Sequence, residues 1–153
     1  MRILVTYDGS PASRAVFPAA AKFSQAMGAE IILLRVHHPP LDLIAHPDAR
    51  FRETQLQTIE DAWLKELKEV SVSIGGIVQP VVHRLGERWN VVDEILTAAA
   101  EFQVDLICMA THGESAVRHF VIGSTALDVL SKSPSPVLLV RSDPPVGAGK
   151  QAQ

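Results

Sequence analysis

The chain has 153 residues, enough for one domain with a substantial core, because a domain of this size buries about 70% of its unfolded surface. Hydrophobic residues make up 47% of the sequence and charged residues 20%, as in ordinary globular proteins. The formal net charge of −3 and the lack of any lysine- or arginine-rich block argue against a nucleic-acid-binding protein, which usually carries a basic stripe.

Hydropathy and cysteine content point to a cytoplasmic protein without membrane contact. No apolar run approaches the roughly 18 residues that a membrane span needs, and the apolar run at the N-terminus is too short for a signal peptide. The single cysteine, Cys108, rules out an internal disulfide. Its place in an apolar run predicts a buried and unreactive strand residue.

The first half of the chain alternates between strand and helix patterns. Apolar runs predict strands at 2–6 and 31–36, and helical spacing predicts helices over 11–27 and 50–74. In the first helix, Ser10 is the predicted N-cap, and Pro18 should bend the helix or delay its start. The segment 37–48 contains three prolines and is predicted to be a loop.

The second half continues the alternation. Strands are predicted at 77–84, 104–109 and 136–141, with helices over 89–101 and from Ser124 onward. Pro80 favours an edge position for the third strand, because proline cannot donate to a sheet ladder. The pattern predicts one α/β domain over 1–141, with an open parallel sheet and helices on both faces. Residues 142–153 are predicted to form a disordered tail.

Polar clusters follow the first and fourth predicted strands. Thr6 to Ser10 come after the first strand, and Ala110 to Gly113 come after the fourth. In open parallel sheets, ligands bind outside the carboxyl ends of the strands. If these two strands are neighbours, both clusters face one crevice. Glycines allow close approach of backbone N–H groups to a ligand, and a hydroxyl at a helix start adds a further donor, so the chain has the groups needed to cradle phosphates.

The second cluster forms a spaced motif, Ala110-x2-Gly113-x9-Gly123-Ser124. It resembles the nucleotide-binding signature of the universal stress protein family, Gly-x2-Gly-x9-Gly-Ser/Thr, with alanine in place of the first glycine. The Asp8-Gly-Ser ending of the first strand and the last turn and strand of the domain also resemble the family, so the resemblance covers residues 1–141. It implies a five-stranded flavodoxin- or Rossmann-like sheet in which the first and fourth strands lie side by side.

The resemblance also implies an adenine nucleotide, ATP or AMP, as ligand. On the base side, Thr6 and Val36 would flank the adenine, and Met109 and Ala110 would lie beneath the adenosine. Asp8 would lie at the sugar–phosphate side or help to bind a divalent cation, Mg or Mn, together with the nucleotide.

On the phosphate side, Gly113 and Gly123 would offer backbone N–H groups. Ser124 would add its hydroxyl, and Thr125 the next N–H. The resemblance thus implies a nucleotide-binding sensor or regulatory module of the stress response.

Simpler roles exist for several of these residues. Asp8 also fits a turn residue that accepts a hydrogen bond from its own backbone two residues on. Ser124 also fits an N-cap, which is compatible with binding. Ala110 would cost about 1 kcal/mol if its position needs a positive φ. If the family uses glycine there only for closeness, the alanine methyl would press on the ribose or adenine instead.

Two other functions stay open at this point. The chain could be a dimeric regulator that no longer binds nucleotide, or a slow ATPase or self-phosphorylating protein. No catalytic base or P-loop lysine is evident, which favours a binding module over an enzyme. A homodimer is predicted because the last strand would lie at a sheet edge, and the resemblance implies that it pairs antiparallel with its copy. The interface residues would be Val137, Leu138, Leu139 and Val140.

Three further side chains are interpreted as unrelated to binding. His37 and His38 are predicted to be solvated, since no cysteine or carboxylate partner stands at metal-ligand spacing. Trp63 falls on the apolar stripe of the long helix and is predicted to belong to the core.

Overall fold

The computed structural model describes residues 1–85, 90–112 and 122–142. A 3-10 turn spans Ser13–Val16. The strands are β1 (Arg2–Thr6), β2 (Glu30–His37), β3 (Val78–Arg84), β4 (Leu106–Ala110) and β5 (Val137–Val140). The helices are α1 (Phe17–Met27), α2 (Leu41–Ile44), α3 (Ala49–Ile74), α4 (Val91–Glu101) and α5 (Ser124–Lys132). The predicted tail from 143 onward, the predicted helix start at Trp89 and the motif residue Gly113 lie outside the described residues.

The strands form one parallel five-stranded sheet in the order β3-β2-β1-β4-β5, which confirms the predicted fold class. The chain builds outward from β1 to β3 and then crosses to the other side of β1, where β4 pairs with it. The strand order therefore reverses between β1 and β4. In open α/β sheets this switch point leaves a crevice at the carboxyl ends of the strands.

Helices cover both faces of the sheet. Ile3 and Val5 of β1 face one layer, where they pack with residues of α1 and α3. Leu4 points to the opposite layer, where it packs with residues of α4 and α5. Because side chains alternate along a strand, a strand covered on both sides needs an unbroken apolar run, and β1 and β2 have one. Cys108 is buried in the first layer, and burial raises the pKa of its thiol to about 12.

Proline placement agrees with the sequence analysis at two positions. Pro18 lies in the first turn of α1, so the regular helix begins at Phe17 and not at residue 11. Pro80 lies in β3, which is an edge strand of the sheet. The Oγ of Ser10 accepts a hydrogen bond from the amide of Ser13 at 3.1 Å, in the turn that leads into the 3-10 segment. The prediction of Ser10 as the N-cap of α1 is wrong, because the N-cap residue of that helix is Val16.

The predicted loop over 37–48 needs two corrections. Residues 30–37 form β2, so the strand extends one residue into the segment, and a one-turn helix, α2, follows Pro40. Proline is well suited to a position just before or at the start of a helix, since its missing N–H is not needed there.

Within the described ranges, no helix is both long and apolar enough to cross a membrane.

Candidate functional site

A pocket of about 600 Å³ opens at the carboxyl edge of the sheet, over the switch point between β1 and β4. This volume is within the range of about 300–1,000 Å³ that is typical of small-molecule sites. Every residue predicted to bind the nucleotide lines the pocket, apart from Gly113, which the structure does not describe. These lining residues are Thr6, Asp8, Val36, Met109, Ala110, Gly123, Ser124 and Thr125.

The β1 end of the pocket is formed by a tight turn. The Oδ1 atom of Asp8 accepts a hydrogen bond from the amide of Ser10 at 2.9 Å, which is the turn role that the sequence allowed. Asp8 is also exposed and lines the pocket, so the turn holds its carboxyl group at the rim. Between these residues Gly9 has a φ of +94°, which side-chain-bearing residues rarely adopt.

Ala110 is the last residue of β4 and pairs with Val140 of β5. In the described part of the chain, Gln103 is the one non-glycine residue with a positive φ, so Ala110 carries no such strain. A need for a positive φ therefore does not account for a glycine at this position. Close approach to the ligand remains as the explanation, since Ala110 lines the pocket with Met109 from the same strand, and its methyl group occupies space at the sheet edge.

The start of α5 forms a second part of the pocket wall. The amide of Gly123 donates to the carbonyl oxygen of Thr111 at 2.8 Å, so it is not available to a ligand, and its predicted role as a donor is corrected. A Cβ at this position would lie 3.1 Å from the same oxygen, which explains the glycine by close approach. Gly123 thus fixes the start of α5 against the end of β4.

Candidate amide donors at the start of α5 come from the next residues. The first amide of α5 that bonds within the helix is that of Leu127, which donates to the carbonyl of Gly123 at 3.0 Å. The amides of Ser124, Thr125 and Ala126 have no acceptor among the described residues, and no side chain there caps the helix. Unpaired N–H groups at a helix start attract anions, and Ser124 and Thr125 are exposed with hydroxyls beside them.

The ionisable side chains around the pocket favour an anionic ligand. Among the described lining residues, Asp8 is the single carboxylate. Arg35, His37, His38 and His112 line the same pocket, so most of its described ionisable lining residues are basic.

The α3 side of the pocket holds a group that the sequence analysis did not find. Arg35 on β2 is 7% exposed, and its Nη1 donates to Oε2 of Glu66 at 2.7 Å. Its guanidinium carbon lies 3.1 Å from the ring centroid of Trp63 and 5.6 Å from that of Tyr7. Glu66 also accepts from the hydroxyl of Tyr7 at 3.2 Å. A charged residue within an apolar strand was the one sequence signal that could have marked this cluster.

Two sequence interpretations are wrong in this region. Trp63 is half-buried and lines the pocket, so it is not a core residue. His37 is 3% exposed and not solvated. Its Nε2 lies 3.3 Å from Oε1 of Glu60, its ring stacks on Trp63, and its buried Nδ1 has no hydrogen-bond partner among the described residues. Both errors concern contacts between β2 and α3, whose residues are distant in sequence.

An ion-pair network extends outward from His37. The Nε of Arg84 donates to Oε1 of Glu60 at 2.6 Å, and its two Nη atoms donate to the carboxylate of Glu53 at 3.1 Å each. Burial disfavours the charged form of Glu60, but the hydrogen bonds from Arg84 and His37 outweigh it and keep the pKa of that carboxyl below its usual value. The hydrogen bonds that Arg84 donates to Glu53 and Glu60 raise the pKa of its guanidinium. The network ties β2 and β3 to α3.

Comparisons with known proteins agree with this architecture. A profile described as "Universal stress protein family" matches residues 1–141. A universal stress protein of Thermus aquaticus is 31% identical over 139 residues, which are 91% of this chain and 97% of that protein.

Solved structures show the same fold at lower identity. A hypothetical protein, solved as a test case of structural genomics, superposes with a TM-score of 0.71 at 23% identity, covering 93% of this chain and 96% of its own. A universal stress protein in complex with cAMP has a TM-score of 0.64 at 20% identity, covering 94% and 98%. One from Archaeoglobus fulgidus in complex with dAMP has a TM-score of 0.61 at 18% identity, covering 92% and 97%. From the family match and the identity to the Thermus protein, the chain belongs to the universal stress protein family.

Proposed function

We propose that this protein binds an adenine nucleotide at the carboxyl edge of its sheet and acts as a nucleotide-dependent sensor or regulatory module of the stress response. The observation that carries the proposal is the convergence of residues from β1, β2, β4 and the start of α5 on one pocket of about 600 Å³. These residues are distant in sequence, and their common feature is that they line this space.

The two ends of the pocket suit the two ends of a nucleotide. Met109 belongs to the apolar layer under α4 and α5, and Val36 packs against it. Both line the pocket and offer apolar side chains to a base. At the other end, the amides of Ser124, Thr125 and Ala126 precede the first hydrogen bond of α5 and offer donors to phosphate oxygens. Both solved relatives named above as complexes hold adenosine monophosphates, cAMP and dAMP, which supports the same ligand class here.

A divalent cation would enter this site with the nucleotide. Asp8 holds an exposed carboxyl group at the rim, and carboxylate oxygen is a preferred ligand of Mg²⁺ and Mn²⁺. No group of three or more metal-ligating side chains exists in the described ranges. Mg²⁺ is commonly bound by one or two carboxylates together with substrate phosphates, so Asp8 would act with the phosphates of ATP.

Calorimetric titration tests the proposal and divides it into parts. The purified protein is titrated with ATP, AMP, adenosine and inorganic tripolyphosphate, each with and without magnesium. We expect saturable binding of ATP or AMP, and weaker binding of adenosine and tripolyphosphate, because each of these uses one end of the pocket only. Absence of heat and of a thermal shift with ATP, ADP and AMP at millimolar concentration, without rescue by Ala110→Gly, would overturn the proposal.

The proposed partner is a second copy of this chain. Strand β5 is an edge strand, and its residues Val137 to Val140 are half-buried, so apolar side chains and unpaired backbone groups reach the surface together. Antiparallel pairing of two β5 strands would cover them about a two-fold axis. Light scattering at micromolar concentration should give a dimeric mass, and Leu139→Lys should give a monomer. A monomeric parent protein, or a Leu139→Lys variant that stays dimeric, would contradict this interface.

A further inference from the structure

We propose that Arg35 is a positioning residue that supports the turn from Asp8 to Ser10 from below and thereby holds the Asp8 carboxyl group at the rim of the pocket. Arg35 lies on the face of the sheet opposite the apolar layer that would contact the base. The effect of Arg35 on ligand affinity rests on the proposed nucleotide site, whereas its effect on the turn does not.

The guanidinium of Arg35 is fixed from two sides. Its Nη1 donates to Glu66 at 2.7 Å, and its plane lies against the ring of Trp63 at 3.1 Å from the centroid. The side chain is 8% exposed, so it has little freedom to turn into solvent. Paired charge and aromatic stacking together give an arginine one defined position, which a lysine would not reproduce.

This fixed group reaches the backbone of the turn. A Cβ built on Gly9 would lie 2.6 Å from Nη2 of Arg35 and 3.1 Å from its central carbon. No real side chain tolerates such a distance, so the guanidinium is in close contact with the Gly9 backbone. Gly9 has a φ of +94° and lies between Asp8 and Ser10. The guanidinium of Arg35 therefore occupies the space next to the Gly9 backbone, in the middle of the turn.

The cluster carries more positive than negative charge. Arg14 donates to the hydroxyl of Tyr7 at 3.1 Å and lies over its ring, while Glu66 accepts from both Arg35 and Tyr7. Glu66 thus accepts directly from Arg35 and is linked to Arg14 only through the hydroxyl of Tyr7. These side chains include two guanidinium groups and one carboxylate, so the cluster has a net positive charge that favours the Asp8 carboxylate at the nearby rim.

The first experiment needs no ligand. Amide hydrogen exchange is measured by NMR in Arg35→Met, with Arg84→Met as matched control, because Arg84 is also a strand arginine paired to glutamates of α3. We expect faster exchange at the Ser10 and Ser13 amides, by about tenfold or more, in Arg35→Met only. Unchanged protection at Ser10 and Ser13, with the rest of the sheet intact, would overturn the proposal whether or not the protein binds nucleotide.

A pair of glycine variants covers the case in which Arg35→Met fails to fold. Gly9→Ala and Gly76→Ala both place alanine at a similar positive φ, +94° and +83°, but a Cβ at Gly76 meets only the Oγ of Ser24 at 3.5 Å, which is an ordinary contact. We expect Gly9→Ala to lower the midpoint of thermal unfolding more than the control variant does. In an Arg35→Lys background, which lacks the guanidinium group, we expect the difference between the two glycine variants to be smaller. Equal drops for the two glycine variants would contradict close support of Gly9 by Arg35.

The second experiment asks whether Arg35 acts through Asp8. Affinity for magnesium ATP is measured in a double-mutant cycle of Arg35→Met and Asp8→Ala. We expect Arg35→Met to weaken binding by about tenfold in the parent and by less than about twofold in Asp8→Ala, because the turn then holds no carboxyl group. Equal losses in both backgrounds would show that Arg35 does not act through Asp8. A parent that binds no nucleotide would defeat the proposed function, and the exchange measurement would still decide the role of Arg35.

Discussion

The part of the pocket at the start of α5 and the part next to α3 are built in different ways. At the α5 end, the donors are backbone amides of consecutive residues, and the contact that places them, Gly123 to Thr111, is between backbone atoms. At the α3 end, the same pocket is lined by side chains whose partners are far away in the chain: Tyr7 and Glu66 are separated by 59 residues, and Arg35 and Glu66 by 31. The first end is a local motif, and the second exists only when the domain has folded.

This difference predicts different responses to mutation. Changes at the α5 end should alter ligand affinity with little effect on the unfolding free energy, since Ser124 and Thr125 are exposed. Changes at the α3 end should reduce the unfolding free energy first, because they leave buried charged groups without partners. The following predictions test that division, from the largest expected effect to the smallest.

Ser124→Ala removes the hydroxyl at the start of α5, and Ser131→Ala, at the exposed far end of the same helix, is its control. We expect Ser124→Ala to weaken ATP binding by about 2 kcal/mol, or about thirtyfold, since a hydrogen bond to a charged group is lost. Ser131→Ala should leave affinity unchanged. Titration calorimetry measures the affinities and urea unfolding the stabilities. Equal effects of the two variants on affinity would remove Ser124 from the site.

Glu66→Gln tests the α3 end. The change leaves the guanidinium of Arg35, which is 8% exposed, without its charged acceptor. The glutamate side chain itself is 41% exposed, so solvent screens part of the loss, and we expect a decrease of about 1.5 kcal/mol in unfolding free energy. Glu69→Gln, at an exposed position of the same helix, should be neutral. In an Arg35→Met background, Glu66→Gln should cost much less, and an undiminished cost would contradict the pairing.

Glu60 predicts a pH dependence of stability. Its pKa in the folded protein is below the ordinary value of 4.5, so the unfolded chain takes up a proton first as pH falls. The stabilisation from this carboxylate is therefore complete above about pH 5 and is lost as pH falls through 4.5 toward the folded pKa.

Unfolding in urea between pH 7 and pH 3 measures this effect. We expect Glu60→Gln to lose about 1 kcal/mol at pH 7 and to show a shallower decline at low pH than the parent. Glu69→Gln is the control, because that carboxylate is exposed on the same helix and lies outside the network around Arg84, so its pH profile should follow that of the parent. A pH profile of Glu60→Gln parallel to that of the parent would show that other carboxyl groups dominate.

Ala110→Gly is expected to have the smallest effect. The change removes one methyl group from the pocket wall, and the absence of a positive φ at Ala110 means that no backbone strain is relieved. We expect about fivefold tighter binding of ATP, just under 1 kcal/mol, if the methyl presses on the ligand. Unfolding free energy should fall slightly, because glycine weakens a strand. Weaker or unchanged binding would show that alanine is not an obstacle.

The sequence was informative where structure follows from local pattern. Alternating apolar runs and helical spacing predicted the strands and the longer helices to within two residues, apart from the start of α1, which is at Phe17 and not at residue 11. Pro80 marked an edge strand. The short helix α2 was missed, because one turn is too short to show periodicity. The role of Gly123 was assigned incorrectly, because spacing cannot tell whether an amide faces a ligand or the carbonyl of Thr111.

By itself, the sequence determined the α/β class and the positions of the polar clusters after β1 and β4, since periodicity and strand-end residues are local properties. It also determined the resemblance to the family, through the spacing of the motif around Ala110 and Gly123. Only the tertiary structure decided that β1 and β4 are neighbours, because strand order depends on how the crossover helices pack. Only it brought Trp63 and Glu66 of α3 against Arg35, since contacts between residues 28 or more positions apart have no periodic trace in the chain.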